Sequence, residues 1–259
     1  MKRLRYIFYP VIGLPVLIIL VWLIAVPTEL IHEKIEDSIA NTGNARIEAE
    51  VTGLRKGVLL SLYADAFELV IDKKPALSIT EISFDFSPRY LLNGQLAFLI
   101  KGRTANGEIN GTIKFPLSGE IRIARAELSE VPYLSRLGIN ISGNVHSDIT
   151  IKDNTINVTF KVPDLNIGDP STVIPLLNTF RKIQGSLSLE GNAVKISSIS
   201  LEGDKGYARL KGTITNGVMD MALEIMPDMD KLKTMESMLI GKYIVSPGYY
   251  VVPIKGPMP

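Results

Sequence analysis

"INISGNVHSDITIK", residues 139–152, decides how the chain is read. Ile139, Ile141, Gly143, Val145, Ser147, Ile149 and Ile151 fall on one side of an extended backbone. Asn140, Ser142, Asn144, His146, Asp148, Thr150 and Lys152 fall on the other. A period of two over this length predicts one strand with a dry face and a wet face. Ile139, Ile141, Val145, Ile149 and Ile151 are large. Burying each is worth about 1.5–3 kcal/mol, so roughly 8–15 kcal/mol together as an upper bound. Left in water, the stripe and its neighbours would exceed the apolar patches that monomers show, so it must be covered. One cover is a second sheet, as in a sandwich or barrel. The other is lipid, held on the inner face of a long curled sheet. Alternation is the same in both, and the helical stretches are too short to cover so many strands.

Working outward, the same period runs through most of the chain. In "ALSITEISFDF" (76–86) the apolar set slips from Leu77 and Ile79 to Ile82, Phe84 and Phe86, which predicts a β-bulge near Thr80–Glu81. "YARLKGTITNGVMDMALEIM" (207–226) predicts a hairpin turning at Asn216–Gly217. Its inward set is Ala208, Leu210, Gly212 and Ile214, then Met219, Met221, Leu223 and Ile225. The second half also repeats itself. Pro132 and Pro175 each precede a short leucine-containing helical stretch, followed by a strand, a turn and a strand. Such helix–hairpin units stack so that each covers its neighbour. "PDMDKLKTMESMLIGK" (227–242) predicts an amphipathic helix with Met229, Leu232, Met235 and Leu239 on one side.

The N-terminus carries the strongest single signal. Lys2, Arg3 and Arg5 precede an uncharged run, and Tyr6 to Val26 supplies the roughly 20 apolar residues that a spanning helix needs. Flanking cations predict a cytoplasmic N-terminus. A cleaved leader is the rival reading, but Leu23-Ile24-Ala25 lacks the small-x-small pattern. The anchor set is Val11, Ile12, Leu17, Ile18, Ile19, Leu20 and Trp22. Ile31, Ile35 and Ile39 then recur every four residues and predict an amphipathic juxtamembrane helix starting near Thr28.

Composition narrows the function classes. Net charge is +1 over 259 residues, with no basic cluster interleaved with aromatics, so nucleic acid is not an expected partner. Cysteine is absent, which removes disulfides and thiol chemistry. The two histidines are His32 and His146. His146 shares a strand face with Asp148, but no Gly-x-Ser-x-Gly elbow accompanies them, and a solvated histidine is the expected reading. Glu202 and Asp204 read as an acidic turn, and Asp228 and Asp230 as helix-capping carboxylates. No catalytic, cofactor-binding or metal residues are expected, and no cofactor.

The anchor, the repeated strands and "LEGDKGYARLKGTITNG" (201–217) resemble the AsmA-like group of envelope proteins. "VPIKGPMP" (252–259) is similar to that group's terminal pattern, at Pro253, Ile254 and Gly256. "LSEVPYLSRLGINISGNV" (128–145) most resembles the protein N (GspN) family of type II secretion. The resemblance implies a single-pass inner-membrane protein, N-terminus inside and bulk in the periplasm, working with secretion or other envelope proteins. For the wider group it implies a β-taco, a half-barrel whose apolar groove takes phospholipid.

The expected organisation is therefore an anchor over 1–27, a juxtamembrane helix over 28–43 and an antiparallel β domain with helix–hairpin repeats over 44–259. The expected fold is mainly β, with a long curled antiparallel sheet and a few short helices. Its candidate groove or core residues are Ile139, Ile141, Val145, Ile149, Ile151, Leu210, Ile214, Met219, Met221 and Leu223. Partner contact is expected by strand addition at exposed edges.

Overall fold

Alternating apolar residues become strands, and Gly, Asn and Asp at fixed spacing become the turns between them. The computed structural model describes residues 17–40, 47–71, 74–104, 106–131, 140–168, 177–232 and 234–257. The chain divides into two compact units, residues 1–103 and 104–259. Both are built on antiparallel sheet with few short helices, as the alternation predicts.

In the first unit, residues 17–20 are α-helical and lead into a π-helical turn, Val21–Ala25. Val26 is extended, φ −97° and ψ 109°, because the residue before a proline avoids the helical region. Helix α1 (Thr28–Ala40) starts after Pro27. Strands β1 (Ile47–Thr52), β2 (Arg55–Lys56), β3 (Leu62–Ile71), β4 (Lys74–Phe86) and β5 (Leu96–Thr104) follow. The order is β1-β3-β4-β5, with β2 also on β3. Val51, Ala64 and Ile82 are buried, packed by Ile35, Leu54, Phe67, Ile79 and Phe84. Helix α1 is fixed to β1 through Ile35 and through the His32 ring, whose Nε2 lies 2.7 Å from the Val51 carbonyl oxygen. The irregularity expected at Thr80–Glu81 is present. Glu81 has φ +51°, and the β4–β5 register shifts between Thr80 and Ser83. Strand β3 changes face at the same level, so Ala64 opposes Ile82 and Phe67 opposes Ile79.

The second unit contains β6 (Gly107–Phe115), β7 (Ser118–Glu127), β8 (Ile141–Ser142), β9 (Asn144–Lys152), β10 (Thr155–Val162) and β11 (Asn166–Ile167). It continues with β12 (Phe180–Glu190), β13 (Ala193–Gly203), β14 (Gly206–Thr215) and β15 (Val218–Pro227). Helix α2 (Thr234–Gly241), β16 (Ile244–Ser246) and β17 (Tyr249–Pro257) complete it. The main path is β6-β7-β9-β10-β12-β13-β14-β15-β17-β16, and β8 pairs with β11 in a small separate sheet. Hairpins turn at Asp153, Gly191 and Asn216–Gly217, all with positive φ. That handedness lets two-residue loops match strand twist.

Two expectations need correction. First, 139–152 is not one strand. Ile139 lies outside the described residues, and Gly143 (φ +138°) separates β8 from β9. The Gly143 amide donates to the Glu127 carboxylate at 2.8 Å, and its carbonyl accepts from the Leu128 amide at 3.0 Å. A Cβ there would meet the Asp164 carbonyl oxygen at 2.9 Å, so the break suits glycine alone. Second, the sheet is neither closed nor curled: each unit has an open strand path, not a half-barrel. Alternation fixes which face is dry, not whether a sheet bends on itself. Among the described residues no helix is long and apolar enough to cross a membrane. The expected span begins within residues 1–16, outside the described residues, as do Val11 and Ile12. The stretch after Pro132, expected to open the first helix–hairpin repeat, also lies outside them, whereas Leu177–Thr179 after Pro175 forms a short 3₁₀ helix and hairpins β9–β10 and β12–β13 are present.

Candidate functional site

Antiparallel register lines the inward side chains of the second unit into rows. One row across β9, β10, β12, β13, β14, β15 and β17 is Ile151, Ile156, Leu189, Val194, Ile214, Met219 and Gly256. The next is Ile149, Val158, Leu187, Ile196, Gly212, Met221 and Ile254. A third is Ser147, Phe160, Gly185, Ile199, Leu210, Leu223 and Val252. The last holds Val162, Ile183, Leu201, Ala208, Ile225 and Tyr250.

The face is covered at one end. Ile240 of α2, Leu165 before β11 and Ile167 within it join Val162, Phe180, Leu201, Ala208, Leu223, Ile225 and Tyr250 in one core. Ile141, Val145 and Leu210 pack against it. Ile149, Ile151, Ile214, Met219 and Met221 do not belong to that core among the described residues, and they are half-buried. These five residues thus keep apolar area that could still be removed from water, although Ile196 of the second row is buried and Ile254 packs against the core. The ten expected face residues therefore split: Ile141, Val145, Leu210 and Leu223 serve the core, five lie outside it, and Ile139 is not described. Of the anchor residues, Leu17, Ile18 and Leu20 are exposed, and Ile19 and Trp22 are half-buried.

Gly212 sits in the second row with φ +142°, and a Cβ there would lie 2.3 Å from the Asp220 carbonyl oxygen. Strand β15 crosses so closely at this point that no side chain fits between.

The opposite face is polar. Asp148 accepts from the Arg122 guanidinium at 2.8 Å. His146 lies near Asp164, whose carboxylate accepts from the Asn144 side chain at 2.9 Å and its amide at 3.2 Å. Asn144 chiefly, and His146 weakly, hold that carboxyl below its usual range. Glu202 and Asp204 pair with Lys182 and Arg181, each at 3.7 Å. Among the described residues no group of three His, Cys, Asp or Glu side chains is placed to hold a metal. The feature that sequence reading missed is Glu224, only 3% exposed on this polar face. Its Oε2 accepts from Arg209 Nε at 2.8 Å and from a second Arg209 nitrogen at 2.6 Å, and its Oε1 pairs with Lys211. Lys211 first, then Arg209, hold the Glu224 carboxyl below its ordinary value against the opposing effect of burial. Arg209 and Glu224 are direct cross-strand partners about the Asn216–Gly217 turn, so the pairing could have been read from the hairpin.

Strand β17 has a blunted edge. The Val251 amide points away from β15 and donates to the Tyr243 carbonyl at 2.9 Å. By alternation the amide positions of 253, 255 and 257 point the same way. Two of these are Pro253 and Pro257, which have no donor, and the third is Lys255. Proline and lysine are the residues that discourage pairing at an edge. Strand addition is therefore disfavoured along this stretch of β17.

No family model, curated protein or solved structure matches the chain.

Proposed function

We propose that the chain is a non-enzymatic component of the bacterial envelope, held in the inner membrane by its N-terminal segment with its bulk in the periplasm. There it contributes to type II secretion by binding other proteins of the secretion machinery. The observation that supports this reading is the divided apolar face, with one end packed by α2 and the other end outside the core.

The same face favours a second reading, an AsmA-like lipid-binding or lipid-transporting role in which acyl chains lie along Ile149, Ile151 and Met221. No ionisable cluster is called on in either case.

One experiment separates them. A photo-crosslinking residue is placed at Ile151 or Met221 of the full chain in membranes of secreting cells, with exposed Asn157 on the opposite face as reference. The expected result is a discrete adduct, identified by mass spectrometry as a secretion-system protein, from 151 and 221 but not from 157. An adduct of phospholipid mass favours the second reading. Equal labelling from both faces overturns both.

A further inference from the structure

The turn between β2 and β3 reads Gly57-Val58-Leu59-Leu60-Ser61. It is closed by the Gly57 amide, which donates to the Ser61 carbonyl at 2.8 Å. Leu59 and Leu60 have φ +61° and +59°. Two successive left-handed residues normally call for asparagine or glycine, and a bulky residue there is a strained outlier. Strain concentrates where function requires it. Val58 and Leu59 are nevertheless 63% and 54% exposed, so packing inside the unit does not explain why they are apolar.

Their neighbour does. Lys56 Nζ donates to the carbonyl oxygens of Trp22 at 3.1 Å and Leu23 at 2.9 Å, and to that of Val26. These are the orphan acceptors at the end of the apolar helical segment, where a cation is favoured. One residue on, the Gly57 carbonyl accepts the Trp22 indole N–H at 3.0 Å. Residues 56 and 57 thus lie against the end of the apolar helical segment. Leu17, Ile18, Leu20, Val21 and Ile24 there are exposed. Tryptophan favours the bilayer interface, and a lysine stem can lie along apolar surface with its charge at the boundary.

We propose that Val58 and Leu59 form a second membrane contact, inserting into the outer leaflet beside the anchor, with Lys56 and Trp22 marking the interface. The occupant is the lipid surface. This rests on the reading of residues 6–26 as a membrane helix. Two points of attachment fix the tilt of the first unit relative to the bilayer, where a single helix would leave it free to swing.

Because the chain has no cysteine, one introduced thiol gives one label site. Val58→Cys, Leu59→Cys, Leu20→Cys and Thr159→Cys carry an environment-sensitive fluorophore in the full chain, reconstituted in phosphatidylethanolamine–phosphatidylglycerol vesicles. Quenching is compared between a phospholipid bearing a nitroxide near its headgroup and aqueous iodide. The expected result is that labels at 58 and 59 are quenched by the lipid nitroxide and shielded from iodide, as at 20, while 159 behaves oppositely. If 58 and 59 follow 159 while 20 remains lipid-quenched, the second contact is overturned and the anchor stands. If 20 itself is quenched by iodide, the anchor reading fails and this proposal fails with it.

Discussion

Glu224 is a carboxylate buried on the face that alternation assigns to water. Its two oxygens are engaged by Arg209 and Lys211, which is why burial does not neutralise it. Glu224→Gln keeps the shape but leaves a buried amide between two cations. A loss of about 1–3 kcal/mol is expected in urea denaturation. The pH dependence follows from the lowered carboxyl value. The folded state holds the proton less tightly than the unfolded one, so the stabilisation is complete above the unfolded glutamate value of about 4.3. It fades as pH falls through the lower folded value. The wild-type denaturation midpoint should drop over that acid window, and Glu224→Gln should flatten the slope. At Gly212 the requirement is conformational and steric together. Gly212→Ala should cost about 1–3 kcal/mol from backbone conformation alone, with more from the clash with Asp220, read as a lowered thermal midpoint. The pairing of Arg209 with Glu224 was legible, since they lie symmetrically about Asn216–Gly217. The burial of Glu224 was not, because it depends on what β17 brings alongside.

At the scale of elements, hairpin β14–β15 forms as its sequence reads, since turn chemistry and inward residues agree on one register. The stretch 139–152 misleads because glycine fits an alternating pattern equally well as a strand residue or as a break. Its positive φ at 143 arises from distant groups, Glu127 and Asp164, that periodicity does not contain. Helix α2 shows a third case. The expected stripe was Met229, Leu232, Met235 and Leu239. Met229 instead lies in a short 3₁₀ turn, Met229–Lys231, entered through Asp228, whose side chain accepts from the Asp230 amide at 3.3 Å. Leu232 is extended, φ −77° and ψ 137°, so the α-helix starts at Thr234 and presents Ile240 inward with Leu239 exposed. Ile240 is 0% exposed and is the point at which α2 enters the core. Ile240→Ala should cost about 2–5 kcal/mol. Leu239→Ala should stay within about 0.5 kcal/mol of wild type. Chemical denaturation of the pair checks which residue faces in.

For the whole molecule, the sequence states that one face is dry but not how much of it the chain itself covers. Cover comes from Leu165, Ile167 and Ile240, each supplied by a short element whose destination no local pattern records. The division between packed and open rows makes a graded test. Leu223→Asp places a charge in the core and should cost more than about 4 kcal/mol. Ile149→Asp, outside the core, should cost about half as much or less and leave the far-ultraviolet circular dichroism spectrum unchanged. Equal losses would mean that the open rows are as tightly packed as the covered ones. The expected curl was one of two covers that alternation allows, favoured by the resemblance, and an open path ending at β16 is what forms.

The part of β17 beyond its pairing with β16 has a consequence for life at high copy number. Where Pro253 and Pro257 sit, a neighbouring chain finds acceptors but almost no donors, with a lysine charge between them. Copies crowded together therefore have no template there on which to zip into fibres. That stretch of the rim is closed to the chain's own kind.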